Sequence, residues 1–196
     1  MINSFPVKYN TSAVSEKQFL AHKTLYEGYV SKTNEISQIL ESAPGLDDAN
    51  AVYSKYRGLK EAQSFALNGV ILHEEYFKNM TASKMIPGKK TLEVFNNFFG
   101  GRENFFRDFE ACAKSARGWC MLVYEQRTNS FVNIMLDAHN LGNVCSAFPL
   151  LVLDMYEHAY FMDYGTDKGK YIGNFAESID WETVESRVNI TERLFG

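Results

Sequence analysis

The chain has 196 residues, a length that suits one large domain or two small ones. Hydrophobic residues make up 45% and aromatic residues 14%, enough for a sizeable core, and the net charge of −4 with mixed signs argues against nucleic-acid binding. The N-terminus lacks the basic and apolar regions of a secretory signal, and no apolar run approaches the roughly 20 residues of a membrane span.

The three cysteines are Cys112, Cys120 and Cys145. Their odd number and the absence of CxxC spacing argue against a disulfide framework and against a thiolate metal site. We therefore expect a reduced, soluble, cytoplasmic protein.

Residues 1–14 show no periodic pattern, and we expect an extended arm. A helix is predicted from Ser15 to about residue 42, because Ser15 and Gln18 have the spacing of a capping box. Four ring-bearing side chains follow at helical spacing on one stripe: Phe19, His22, Tyr26 and Tyr29. Taken alone, this pattern is that of an amphipathic helix whose core face includes a histidine.

A turn-rich segment, residues 42–50, ends the first helix, and a second helix is predicted over residues 51–80. Gly69 lies one turn before His73, where it costs about 1 kcal/mol relative to alanine, so we expect another group to approach closely there. One face of this helix carries Phe65, Leu72, His73, Tyr76 and Phe77. The two helices should form an antiparallel hairpin in which His22 and His73 face each other.

The segment MIPGKK, residues 85–90, is the best candidate for a domain boundary, because proline, glycine and lysines follow a long helix. We expect an N-terminal helical hairpin domain at residues 1–86 and a C-terminal domain at residues 87–196.

The C-terminal half begins with a helical pattern over residues 91–114 and then changes period. Residues 118–124 and 131–136 read as a strand hairpin, residues 150–153 as a third strand, and the remainder as helical. The predicted fold class is α+β, with a helical hairpin followed by an α/β part that contains a small three-stranded antiparallel sheet.

A carboxylate stands where the third apolar run stops. Asp154 is followed four residues later by His158, so a helical turn would project both to one side. Because an unpaired buried charge costs several kcal/mol, Asp154 needs a partner, either a structural ion pair or a metal ion.

The chain has only four histidines, and the other three also lie in apolar or aromatic segments: His22, His73 and His139. Three imidazoles and one carboxylate suit iron, manganese or zinc. A structural zinc site would more often use cysteine, and a catalytic zinc usually keeps three protein ligands.

Five segments, in order along nearly the whole chain, resemble the iron/manganese superoxide dismutases. They are AHKTLYEGYV (residues 21–30), LHEEYFKNM (72–80), GWCMLVY (118–124), DMYEHAYFMDY (154–164) and KGKYIGNFAESIDWETVESR (168–187). They are similar to the first-ligand helix, the NHxxFW helix, the GWxWLV strand, the DxWEHAY signature and the NWxxV tail of that family.

The resemblance implies an enzyme that disproportionates superoxide to dioxygen and hydrogen peroxide at a mononuclear site with one iron or manganese ion per chain. The implied ligands are His22, His73, Asp154 and His158, with solvent at a fifth position. Glu157 is implied to reach His158 of the partner subunit across a twofold axis, in a homodimer or a tetramer.

The resemblance also assigns residues around the metal. Tyr29 corresponds to the gateway tyrosine, and Lys168 stands where a funnel arginine is usual, which suits electrostatic steering of an anion. His139 stands where a glutamine usually forms a hydrogen bond with the metal-bound solvent, and Gly69 is expected to leave room for it.

Several positions depart from the family pattern. Tyr156 and Met121 replace two tryptophans, and the spacing from His22 to Tyr29 is seven residues rather than eight. A second-sphere histidine and its tyrosine partner are replaced by Tyr26 and Phe161. These changes leave the inner ligands in place and bear on rate and metal preference.

Three alternatives remain at this point. A protein with this fold could have become a structural or assembly subunit without dismutase activity, but such a chain should have lost ligands. A mononuclear iron oxygenase would use two histidines and one carboxylate, and the third histidine counts against it. A purely structural role would require all four histidines to match the pattern by chance.

Overall fold

The computed structural model describes residues 1–42 and 45–195. Over these ranges the elements, in chain order, are α1 (Glu16–Glu41), α2 (Lys55–Lys78), α3 (Lys89–Val94), a π-helical turn (Phe95–Phe99), α4 (Arg102–Ser115), β1 (Trp119–Glu125), β2 (Ser130–Leu136), β3 (Ala147–Asp154), a 3₁₀ turn (Glu157–Ala159), α5 (Phe161–Tyr164), α6 (Lys168–Glu177) and α7 (Trp181–Phe195). No helix within these ranges has both the length and the apolar character needed to cross a membrane.

The start of α1 is capped as its sequence predicts, but the second half of the capping-box interpretation was wrong. Ser15 Oγ accepts a hydrogen bond from the Gln18 backbone N–H at 3.2 Å. The Ser15 backbone N–H is bound by Asp163 at 2.6 Å rather than by the Gln18 side chain. The Gln18 amide instead donates to the carbonyl of His158 at 2.6 Å and accepts from the N–H of Met162 at 3.2 Å. Gln18 therefore joins the first helix to the segment after β3.

The second helix starts later than expected, at Lys55 instead of residue 51. The Asn50 side chain accepts hydrogen bonds from the N–H groups of Val52 and Tyr53, which makes a local turn, and Ser54 then caps the helix. Of the predicted turn at residues 42–50, residues 43 and 44 lie outside the described part of the chain.

The N-terminal arm has no helix or strand, as predicted, and it lies against α1. The N–H of Ile2 donates to Asn34 at 2.7 Å, and the N–H of Phe5 donates to the Tyr26 hydroxyl at 2.7 Å. The arm therefore covers the face of α1 that carries Tyr26.

The predicted three-stranded antiparallel sheet is confirmed, with strand order β2-β1-β3. The third strand is longer than predicted because it begins at Ala147 and includes Pro149. Proline is tolerated there because β3 is an edge strand. The pairing of β3 with β1 shifts register between Leu122 and Val123 of β1. Trp119 in β1 pairs with Asp154 at the end of β3.

The single helical pattern predicted over residues 91–114 is interrupted. A π-helical turn follows α3, and the chain then passes through Gly100 and Gly101 with φ angles of 73° and 121°. These left-handed values favour glycine and stop the helix, so α4 begins anew at Arg102.

Asn79 fixes the end of α2 to the sheet. This fully buried side chain donates to the carbonyl of Leu150 at 3.3 Å and accepts from the N–H of Val152 at 2.9 Å and from Arg187 at 3.1 Å. The helix that carries His73 is therefore held against the strand that ends in Asp154.

We predict that Asn79→Ala lowers the free energy of unfolding by about 2 kcal/mol, because the buried N–H of Val152 loses its partner. Urea denaturation of this variant, with the exposed Asn189→Ala as the control, measures the effect. Equal stability of the two variants would contradict the role assigned to Asn79.

Candidate metal centre

Four ligand atoms from four different elements converge inside the protein. His22 lies on α1, His73 on α2, Asp154 at the end of β3 and His158 in the 3₁₀ turn, and one ligand atom from each lies within 4.8 Å of the others. The Nε2 atoms of His22, His158 and His73 are 3.1, 3.2 and 3.7 Å from the same carboxylate oxygen, Asp154 Oδ2. The expected approach of His22 to His73 is confirmed, with ring centroids 5.0 Å apart.

The His73 imidazole is held with a free lone pair pointing into this cluster. Its Nδ1 lies 2.5 Å from the carbonyl oxygen of Gly69. A carbonyl only accepts, so Nδ1 carries the proton and Nε2 is unprotonated. Within the described part of the chain, this Nε2 and that of His22 are buried without a hydrogen-bond partner. Such atoms fit a metal ion, since a buried polar atom without a partner is costly.

Asp154 is fully buried and oriented by its neighbours. Its Oδ1 accepts the N–H of Tyr156 at 2.9 Å, and its backbone carbonyl accepts the hydroxyl of Tyr171 at 2.9 Å. Burial acts to raise the pKa of Asp154, but the close approach of the His158 and His22 rings outweighs it and leaves the pKa below the ordinary value. The carboxylate therefore presents a negative charge to the cluster.

The buried imidazoles are neutral at physiological pH. Burial, followed by the neighbouring His22, lowers the pKa of His73 to about 3, and burial likewise lowers the pKa of His22. Neutral imidazole is the form that binds a metal. Three imidazole nitrogens and one carboxylate oxygen are a donor set that suits iron or manganese.

His139 lies beside this cluster without belonging to it. Its Nδ1 accepts the indole N–H of Trp119 at 2.9 Å, and its Nε2 is 2.8 Å from the Tyr29 hydroxyl. Because indole is only a donor, the neutral ring carries its single proton on Nε2 and donates it to the Tyr29 oxygen. Burial lowers the pKa of His139 to about 4, which keeps the ring neutral.

The close approach predicted at Gly69 is confirmed, but the group that approaches is different. A Cβ at this position would lie 2.9 Å from a ring carbon of Tyr29. We expected the absence of a side chain at Gly69 to leave room for the His139 ring. The room is instead occupied by the ring of Tyr29, whose hydroxyl is bound to His139. The glycine therefore allows the Tyr29 ring to lie between α1 and α2, 5.2 Å from the His73 ring.

His158 is the only one of the four cluster residues with substantial exposure, its side chain being 30% accessible. Glu157 beside it is exposed. A cavity of about 330 Å³ adjoins both residues. Large apolar side chains with exposed fractions of 37–51% lie on α1 and α5: Leu20, Leu25, Phe161 and Met162.

Two of the positions that depart from the family pattern lie beside the cluster. Tyr26 is fully buried and donates to Glu74 at 2.8 Å while accepting from the N-terminal arm. Tyr156 stacks on His158 with ring centroids 5.1 Å apart. Met121, a further such position, is buried in β1. Lys168, the residue expected to steer an anion, is the half-buried first residue of α6.

Sequence reasoning missed three residues that orient the cluster or the neighbouring His139. Trp119 binds His139, Tyr171 binds the Asp154 carbonyl, and Gln18 binds the His158 carbonyl. The glycine-tryptophan pair at residues 118–119 was a usable signal for the first. Tyr171 and Gln18 act through contacts distant in sequence and had no local signal.

Comparison with known proteins identifies the family. Residues 87–187 match the family described as "Iron/manganese superoxide dismutases, C-terminal domain". An iron superoxide dismutase of Aquifex pyrophilus is 36% identical over 91% of this chain and 85% of its own length. One from Pyrobaculum aerophilum is 34% identical over 86% of this chain and 81% of its own. A manganese superoxide dismutase of Halobacterium salinarum is 31% identical over 85% of this chain and 82% of its own. The chain thus belongs to the iron/manganese superoxide dismutase family.

Proposed function

We propose that His22, His73, Asp154 and His158 hold the iron or manganese ion of this enzyme. The protein is a superoxide dismutase with one such ion per chain, and it converts two superoxide ions and two protons to dioxygen and hydrogen peroxide. The observation that carries the assignment is the convergence of four potential ligand atoms, two of them buried imidazole nitrogens without a hydrogen-bond partner among the described residues.

The bound metal supplies the one-electron oxidation and reduction of superoxide. The protein keeps His22, His73 and Asp154 in the protonation states that metal binding requires. The Gly69 carbonyl holds the His73 proton on Nδ1, and the Tyr156 N–H holds one oxygen of Asp154, which leaves the other oxygen facing the imidazoles. Ligands oriented in this way tune both affinity and redox potential.

Proton delivery is proposed for Tyr29 and His139. The indole of Trp119 fixes the His139 tautomer, and His139 donates to the Tyr29 oxygen. The hydroxyl proton of Tyr29 is then directed away from His139 and is free to bind solvent or substrate in the site. In this assignment His139 positions Tyr29 and does not ligate the metal.

We propose a homodimer in which Glu157 binds His158 of the partner subunit, with a tetramer as a further assembly. The exposed Glu157, the 30% exposure of the His158 side chain and the apolar side chains around them support this face as the interface. A carboxylate on the remaining imidazole nitrogen would fix its tautomer.

Lys168 is proposed to steer superoxide, since an anion approaching a chain of net charge −4 gains from local positive charge. We also propose that the protein acts as a cytoplasmic antioxidant. Its three cysteines are free thiols, as is usual in reducing compartments.

A division into domains at residues 1–86 and 87–196 is likewise proposed. The matched C-terminal family span begins at residue 87, which supports it. The presence of all four ligands counts against an assembly subunit without activity, and the third imidazole counts against a two-histidine, one-carboxylate iron oxygenase.

We predict close to one iron or manganese ion per chain in protein purified without chelators, together with superoxide dismutation. Elemental analysis, followed by activity assays after reconstitution with each metal, measures both the content and the preference between two metals that share this ligand set. Full-occupancy zinc with no activity after either reconstitution would contradict the assignment.

Glu157→Ala should weaken the dimer and lower metal affinity by about 10–100-fold, the usual cost of removing a carboxylate that orients a ligand imidazole. Sedimentation and metal competition measure the two effects, and the exposed Glu182→Ala in α7 is the control. If sedimentation and metal content match those of the control, Glu157 has no bridging role.

We predict that His139→Ala retains the metal but turns over more slowly, because Tyr29 loses the donor that orients it. His73→Ala should lose the metal, and His139→Gln should recover part of the activity, since an amide can donate to Tyr29 and accept from Trp119. Metal content and turnover of the three variants show whether His139 positions Tyr29 or ligates the metal. An empty site in His139→Ala would make His139 a ligand.

A further inference from the structure

Two of the three cysteines meet at the contact between α4 and the central strand. Cys120 in β1 is fully buried, and its sulfur lies 3.6 Å from the carbonyl oxygen of Phe109 on α4. Cys112 follows Phe109 by three residues, and a helical side chain leans back over the turn before it. The two thiols therefore lie close to each other across the contact between α4 and β1.

The two thiols differ in exposure and acidity. Cys112 is partly exposed, whereas Cys120 has no exposed surface. The hydrogen bond from Cys120 lowers the pKa of Cys112, against opposing effects of burial and of the nearby Asp108. Burial first, and then Cys112, raises the pKa of Cys120. The partly exposed sulfur is thus the one that ionises first, and the thiolate is the reactive form.

The Cys120 proton has two acceptors within reach. In the neutral pair it is directed at the Phe109 carbonyl. When Cys112 ionises, the same proton can turn to the Cys112 thiolate, so the buried thiol stabilises the outer one.

An oxidant for such a pair is made by the protein itself. Each dismutation cycle releases hydrogen peroxide, which oxidises thiolates. Attack of the Cys112 thiolate on peroxide breaks the O–O bond, releases hydroxide and leaves a sulfenic acid. The Cys120 sulfur then attacks the Cys112 sulfur and loses its proton, and the sulfenic hydroxyl leaves with that proton as water.

We propose that Cys112 and Cys120 are a peroxide-reactive dithiol that closes to an intramolecular disulfide between α4 and β1. The proposal rests on the dismutase function only for the source of the peroxide. Disulfide closure removes the sulfenic acid before it oxidises irreversibly, and a dithiol reductant restores the thiols. Cys145, which is exposed, serves as an internal comparison.

The test is direct addition of equimolar hydrogen peroxide to the metal-loaded protein, so the result does not depend on its dismutase activity. Three free thiols should fall to one. Intact mass should decrease by two hydrogen atoms, and a non-reduced peptide map should join residues 112 and 120. Dithiothreitol should restore three thiols.

Cys145→Ser should leave this reaction unchanged, whereas Cys112→Ser should reduce loss of the Cys120 thiol to the level without peroxide. Cys120→Ala should trap Cys112 as a sulfenic acid that a dimedone probe labels. Three outcomes overturn the proposal: preferential oxidation of Cys145 with both other thiols still alkylatable, disulfides only between chains, or Cys120 oxidation that persists in Cys112→Ser.

Discussion

A buried negative charge organises this protein. Asp154 has no exposed surface, and taking an ionised carboxylate out of water costs several kcal/mol unless it is compensated. The imidazoles of His22 and His73, which face it, are neutral, since burial lowers their pKa. Their ring nitrogens and the carboxylate charge together form a site that suits a metal cation.

The elements that carry the cluster are fixed by contacts between residues far apart in the sequence. Asn79 holds the end of α2 on β3, Gln18 holds the start of α1 on the segment after β3, and Tyr171 holds the Asp154 carbonyl from α6. These are hydrogen bonds made away from water, where an unmet partner is costly. These long-range hydrogen bonds therefore hold together a cluster whose four side chains come from four different elements.

The sequence predicts the four cluster residues because their signals are local. His22 lies on a helical stripe, and Asp154 with His158 marks the end of an apolar strand. The role of Gln18 could not be predicted in this way, since a capping box satisfies the local pattern equally well while the real partners lie about 140 residues away. The partner of Gly69 was mistaken for the same reason: glycine indicates a close approach but not which side chain makes it.

The seven-residue spacing from His22 to Tyr29 places both side chains on one face of the regular helix α1. Seven residues make about two turns at 3.6 residues per turn, so Tyr29 returns to the stripe of His22 and meets Gly69 on α2. One more residue would rotate the tyrosine by about 100° unless a π-type turn absorbed it. The position of the hydroxyl thus depends on helix period, and its orientation depends on His139. The His139 ring accepts a hydrogen bond from Trp119 and carries one N–H, which it donates to Tyr29. A side-chain amide at this position would carry two N–H groups and could donate to a second acceptor as well.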